Sequence, residues 1–482
     1  MASATRRAYL QELFWNQLWQ SANFAAKAGF LILLTPLMLW KWGAAGYGLF
    51  ALASSLLVSM ALLDGGVRAL TRLRLADAHR RNDDAGFARA YGEGMLTFAC
   101  ACLVAVAAAF LLAGTGGVNR WLNLPAGGEW VLALTAAMTA VFMLTSLALE
   151  PLAAKGNLSA LKAANTWGAL AAIPFTAAAV ALGGSVLLAI GIYFACLTLP
   201  NFALAARAGI FPLLRRKGIF RFDPGVIWQT LRAGFWYYLT TVSLVIKTHG
   251  LTFVVAAIAG PAEAGMFYIL LRLTEIVGNV GATASETSLA ALAAARDADE
   301  RRENFRQSWL YTGIFCLHGA LVMALLGEPL LRFWLPEKEL VPAGAGWAMA
   351  VFGLAGAFSR VVVNAGMGLH LVKPAALGNA LEALADLAGA VAGYHLAGLP
   401  GLFVGGSIGI GFLLGPAWKI AGACGAAAGA LYLASLGRLV PGLLIAAAAQ
   451  AVSVWLFGLP GWLAALGISG AAALGQIRRL HR

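Results

Sequence analysis

The sequence predicts an all-α polytopic membrane protein of about fourteen transmembrane helices, in two pseudo-symmetric six-helix lobes followed by two C-terminal helices. Three observations predict it. The 482 residues are 61% hydrophobic and only 11% charged, whereas a soluble chain carries about a quarter charged residues. Continuous apolar runs long enough to cross about 30 Å of hydrocarbon recur from end to end, and backbone groups in lipid must be satisfied internally, so these runs are helices. A stretch near the N-terminus is also written twice. Phe14 to Leu52 holds an apolar helix with Lys27 near its middle, a glycine-rich turn and the start of a second helix. From Phe235 the plan returns: Lys247 lies near mid-helix, and Gly260, Gly265 and Phe267 match Gly43, Gly48 and Phe50 in register. Repeats of this kind place a transporter's substrate site near the midplane, between the halves.

Taken in order, MASATRRAYLQELFWNQLWQ has no small-residue cleavage site after a short apolar core and reads as an amphipathic lead-in helix. Apolar runs predict helices 1 to 6 at 14–39, 47–70, 95–112, 130–149, 167–181 and 186–205. Loops are expected between them, including the basic stretch RALTRLRLADAHRRND. Residues 1–206 form the N-terminal lobe, and a basic cytoplasmic segment at 207–229 divides it from the C-terminal lobe at 230–424. That lobe holds helices 7 to 12 at 233–259, 266–283, 309–326, 347–369, 375–397 and 402–423. An amphipathic segment and helices 13 and 14 (443–457 and 462–474) fill 425–482.

Charge sets the expected orientation. With a cytoplasmic N-terminus, alternate loops gather about 26 Lys and Arg on that side against about four outside, and both termini are cytoplasmic. The net charge of +13 is then mostly a topology signal. Its residues flank spans rather than forming one patch, so anionic lipid headgroups are the expected contact and nucleic acid is not. The outside loops are too short for a soluble catalytic domain. No nucleophile constellation, metal cluster or acid/base pair stands out, and no enzyme activity or cofactor is expected. Cys100, Cys102, Cys196, Cys316 and Cys424 all lie in apolar runs without metal-ligand spacing and read as packing residues.

Ionisable groups at bilayer depth are costly and face a cavity or one another. Lys27 and Lys247 either line a central cleft, where two cations would attract a diphosphate, or pair with a carboxylate or helix end. Arg360 and Asn364 share a face of helix 10 and are candidate contacts for sugar or phosphate. Glu382 and Asp386 share a face of helix 11 and are candidates for proton or cation coupling, or for neutralisation by a nearby basic group. Arg272 and Glu275, three residues apart, are candidates for an ion pair. His249, beside Gly250, is either a titrating group or a packed neutral ring. Asp64, before Gly65-Gly66, is a candidate for an interfacial contact. Gly405-Gly406-Ser-Ile-Gly409-Ile-Gly411 has the glycine count of a nucleotide loop but lies in a lipid-length span, where small residues let helices approach. No phosphate-binding loop for ATP is present, so energy would come from an ion gradient, the membrane potential or the substrate gradient.

The segment GAAGYGLFALASSLLVSMALLDGGVRALTRLRLADAHRRND resembles the second-helix region of bacterial polysaccharide transporters. There a G-x-x-x-[YF]-G-[LI]-[FWY] turn, an L-x-D-x-G-[VL] helix end and a basic loop recur. These proteins include the O-antigen flippases and belong to the multidrug/oligosaccharidyl-lipid/polysaccharide exporter superfamily. The resemblance implies two six-helix lobes in a V shape, alternating access at a central cationic cavity, and a polyprenyl-diphosphate-linked oligosaccharide moved from the cytoplasmic to the outer leaflet of a bacterial inner membrane. It also implies a possible polysaccharide polymerase or synthase complex as partner. Two departures narrow the cargo. Lipid II flippases carry several basic residues early in the first helix, where this chain has Lys27 alone. Drug exporters often carry a carboxylate there, in the region that Lys27 occupies. The alternatives are an ion-coupled exporter of small molecules, dependent on Glu382 or Asp386, and a non-transporting partner of a synthase or secretion complex, dependent on Arg215, Arg216 and Lys217.

Overall fold

Alanine, leucine and glycine dominate the apolar runs, and they fold as long helices. A computed structural model describes residues 2–60, 62, 67–155, 157–210, 224–275, 292, 295 and 297–425. Asp64, the Arg215-Arg216-Lys217 cluster and helices 13 and 14 therefore lie outside the described residues. Among the described residues, nine segments are long and apolar enough to cross a membrane. Two of them, Ser21–Ser59 and Val372–Ala423, run to 39 and 52 residues. At 1.5 Å per residue each is too long for one crossing of about 30 Å, and each is interrupted.

In the first unit, α1 (Ala2–Ser59) bends at Gly43, whose φ is 66°. It is followed by α2 (Val67–Arg80), α3 (Asp84–Gly114), α4 (Gly117–Leu122), α5 (Gly128–Ala148), α6 (Glu150–Ala154), α7 (Leu158–Ala181) and α8 (Val186–Arg207). Helix α1 packs along α7, α7 on α8, and α5 on α3 and α8. Beyond them run α9 (Pro224–Val245), a π-helical segment (Ile246–Gly250) and α10 (Leu251–Ala259), then the helix α11 over 261–275. The second unit also holds α12 (Ala298–Trp334), α13 (Ala345–Gly368), α14 (Val372–Gly405) and α15 (Leu414–Ala423), with a 3-10 turn at Ile408–Leu413 between the last two. The chain clusters as one unit of Met1–Tyr238 with Val255–Gly265 and another of Leu239–Val254 with Met266–Arg482.

Several expected loops are helical. The basic stretch after helix 2 forms α2, because Leu, Ala and Arg are good helix formers. Tertiary contacts anchor it: Arg72 donates two hydrogen bonds to Glu150 at 2.6 and 3.0 Å, and Arg68 lies 3.8 Å away. The i, i+4 spacing of the arginines puts both on the face toward Glu150, which is 1% exposed. Helices 5, 7 and 9 likewise begin earlier than the apolar runs suggest, at Leu158, Pro224 and Ala298. Their polar first turns extend apolar helices instead of forming loops. At the start of α12, Asp297 accepts the Glu300 amide at 2.8 Å as an N-cap.

The repeated glycines have matched roles. Gly43 and Gly260 both take a left-handed φ, 66° and 88°, at the two turns that correspond in sequence, a conformation costly for any residue with a Cβ. Gly48 and Gly265 pack together within the first unit: a Cβ on Gly48 would meet the Pro261 backbone, and one on Gly265 would meet the Gly48 backbone. A second glycine seam closes α14 on itself. The chain turns at Ala397-Gly398, where φ is −148° and 62°, and Gly389 faces Gly405 while Gly393 faces Gly401, each backbone to backbone. Gly48→Val should lower the melting temperature of the detergent-purified protein by the equivalent of about 1–3 kcal/mol. Gly191→Ala, where an added Cβ meets nothing within 4 Å, should leave the melting curve unchanged or raise it slightly.

Candidate functional site

Two clusters of buried polar residues in the second unit meet the π-helical segment, one at Lys247 and one at His249. Its i→i+5 turn interrupts a long apolar helix at Ile246-Lys-Thr-His-Gly250, a deviation that marks functional or strained positions. Lys247 and His249 are both buried there and turn to different neighbours. The Lys247 ammonium, with the residue 8% exposed, reaches α14, where Glu382 Oε1 lies at 2.5 Å and Asp386 Oδ2 at 3.3 Å. Its third contact is Ser359 Oγ on α13 at 3.3 Å.

The two carboxylates are one helical turn apart on the inner face of α14, 1% and 2% exposed. Every carboxylate oxygen has a donor. Glu382 Oε2 accepts from the Ser359 hydroxyl at 2.7 Å, and Asp386 Oδ1 accepts the Gly409 amide at 2.7 Å. Gly409 is needed for that approach, since a Cβ there would meet the Glu382 carbonyl and the Asp386 carboxylate. A buried ionic cluster needs compensated charge and satisfied lone pairs; here one ammonium stands against two carboxylates, and every carboxylate oxygen has a donor. It also joins three elements, because the π segment, α13 and α14 each supply a member.

His249 faces α11, with Nε2 3.9 Å from Glu275 Oε1. Arg272 donates to Glu275 Oε2 at 2.6 Å and lies over the Tyr268 ring, 4.8 Å from its centroid. Arg360 stands within electrostatic reach of Glu275 and, like Asn364, is half-buried on α13. Between these groups the second unit encloses a cavity of about 240 Å³, whose lining includes Lys247, Glu275, Ser359, Arg360 and Asn364. The structure thus brings Lys247, Glu382 and Asp386 into one cluster and Arg272, Glu275 and His249 into another. Lys27 is on α1 in the first unit, with its side chain exposed. Sequence reasoning did not single out Ser359, and it read Gly409 only as one of a run of glycines that lets helices approach. Ser359 directly precedes Arg360, but one hydroxyl in an apolar helix carries no signal of its own, and Gly409 is one glycine among several.

No family model matches the chain, and no curated protein matches it in sequence. Solved structures do match in three dimensions. The lipid II flippase MurJ, in an inward closed conformation, superposes with a TM-score of 0.73 at 12% identity, covering 96% of this chain and 100% of its own. This chain has the fold of the MOP superfamily. An inward-facing multidrug resistance MATE family transporter of that superfamily gives a TM-score of 0.67 at 14% identity, over 83% of this chain and 94% of its own. The MATE multidrug transporter DinF-BH, in complex with R6G, gives 0.60 at 16% identity over 84% and 95%. The structures matched are transporters, not enzymes.

Removing the ammonium would leave two buried carboxylates unpaired. Lys247→Met should cost about 3–5 kcal/mol of stability, read as an early thermal unfolding transition in detergent. Adding Glu382→Gln and Asp386→Asn to that variant should restore most of the loss.

Proposed function

We propose that the protein translocates a polyprenyl-diphosphate-linked oligosaccharide, a precursor of O-antigen, capsule or exopolysaccharide, from the cytoplasmic to the outer leaflet by alternating access. The observation that carries this reading is the length over which the fold is shared. The likeness to the lipid II flippase spans 96% of this chain, whereas the two MATE transporters reach 83% and 84%. The second-helix motif around Tyr47-Gly48-Leu49-Phe50 points the same way. In this reading the membrane is the bacterial inner membrane, both termini are cytoplasmic, and the flanking arginines contact anionic headgroups.

The diphosphate needs a cation that cargo can reach. Lys247 has its three ammonium contacts on Glu382, Asp386 and Ser359, so Lys27, exposed on α1, is the residue we assign to the diphosphate. A lysine serves there as a point charge. A polysaccharide polymerase or synthase is the partner this cargo would bring. The second reading, an ion-coupled exporter of small molecules, is favoured by one feature: Glu382 and Asp386 together outnumber the single Lys247 charge, and a bound proton or cation would balance them.

The test is translocation of a purified polyprenyl-diphosphate oligosaccharide in proteoliposomes. Wild type should move it, Lys27→Ala should slow movement by about tenfold or more, corresponding to loss of one charge-assisted contact of about 1.4 kcal/mol or more, and Lys27→Arg should retain most of the rate. Drug efflux that depends on Glu382 and Asp386, without glycolipid movement, would select the exporter instead.

A further inference from the structure

The cavity of the second unit has a chemistry that does not suit a diphosphate. The charged groups of its lining, Lys247, Arg360 and Glu275, are compensated together with those directly behind it, Arg272, Glu382 and Asp386. Three basic and three acidic groups carry no net formal charge among them, so these six give an anion no net attraction.

The wall also presents oxygen acceptors. Thr248 and Thr274 donate their hydroxyl protons to their own helices, to Leu244 O at 2.9 Å and Leu270 O at 2.8 Å. Asn379 donates one amide hydrogen to the Thr240 carbonyl at 3.2 Å. Ser359 donates to Glu382. What these residues have left is largely lone pairs, on Thr248 Oγ1, Thr274 Oγ1 and Asn379 Oδ1. A diphosphate offers only acceptors at neutral pH and can make no hydrogen bond to these oxygens. A sugar ring offers several hydroxyl donors. Arg360 and Asn364, one turn apart on α13, supply donors on the same wall, and Phe352 with Val363 gives the apolar area that a ring's C–H face covers.

Size agrees. The cavity, about 240 Å³, lies below the roughly 300–1,000 Å³ of a drug-sized site.

We infer that this cavity is a subsite for one uncharged sugar unit of the cargo, and that the diphosphate is bound outside it. The inference rests on the flippase reading for its cargo, but the cavity can be tested without transport. Replacing the five native cysteines with alanine and introducing Thr248→Cys puts one thiol on the cavity wall of the full-length chain. Thr241→Cys, exposed on the neighbouring helix and also lining the cavity, serves if the first variant does not fold.

The rate of maleimide alkylation is then measured in detergent with glucose, galactose, rhamnose or N-acetylglucosamine. Each is present at the order of 50 mM, because a small neutral ligand binds in the millimolar range. Inorganic pyrophosphate at matched ionic strength is the comparison. At least one sugar should slow alkylation about threefold or more, as expected when most sites are occupied, pyrophosphate should not, and Asn364→Ala should abolish the protection while leaving the melting temperature unchanged. Protection by pyrophosphate, or by none of the sugars, overturns the inference. Glycolipid translocation without sugar protection would sink the subsite and leave the flippase standing. Sugar protection without translocation would do the reverse.

Discussion

Charge in a low-dielectric interior must be compensated on the spot, and that constraint organises the second unit. One ammonium on a π-helical turn holds two carboxylates on α14 and a hydroxyl on α13. The attraction between such groups grows as water is excluded, but so does the cost of any member left alone. The cluster therefore ties three helices together as a set. The Arg272–Glu275 pair and His249 extend the polar surface toward α11, and the cavity occupies the space between.

Glycine makes those approaches possible. Polar atoms in a membrane bundle meet only when backbones come close, and lipid gives helices no hydrophobic reason to do so. The paired glycines of α14 bring its two limbs together backbone to backbone, which carries Gly409 to the Asp386 carboxylate. In the first unit the same device joins the two turns that the sequence repeats, at Gly48 and Gly265. A bundle built this way tolerates little added volume at its crossings, while an added Cβ at a position such as Gly191 meets nothing within 4 Å.

The fold is shared with transporters of quite different cargo at identities of 12% to 16%. Conserved architecture with divergent sites leaves cargo to a few side chains. In the proposed reading those side chains differ between units: an exposed lysine on α1 in one, and a cavity lined by both charged and neutral polar groups in the other. A substrate with a diphosphate at one end and neutral sugars at the other has matching chemistry for both.

The sequence by itself determined the membrane class, the apolar helices and the duplicated glycine turn, because hydropathy and backbone conformation are properties of local stretches. The pairs within one helix were equally legible: Arg272 with Glu275, Glu382 with Asp386, and Arg360 with Asn364 each follow from helical spacing. What the sequence could not determine was which of these met across helices. Lys247 and Glu382 lie 135 positions apart along the chain, and periodicity assigns a residue to a face without naming the helix opposite. The extension of several helices through polar segments was hidden for a related reason: hydropathy marks where lipid begins, not where hydrogen bonding ends. Only the tertiary structure decided that the lysine is matched by two carboxylates, that Gly409 rather than a basic side chain completes Asp386, and that the cavity wall presents oxygen lone pairs. Those properties arise from close packing between distant segments.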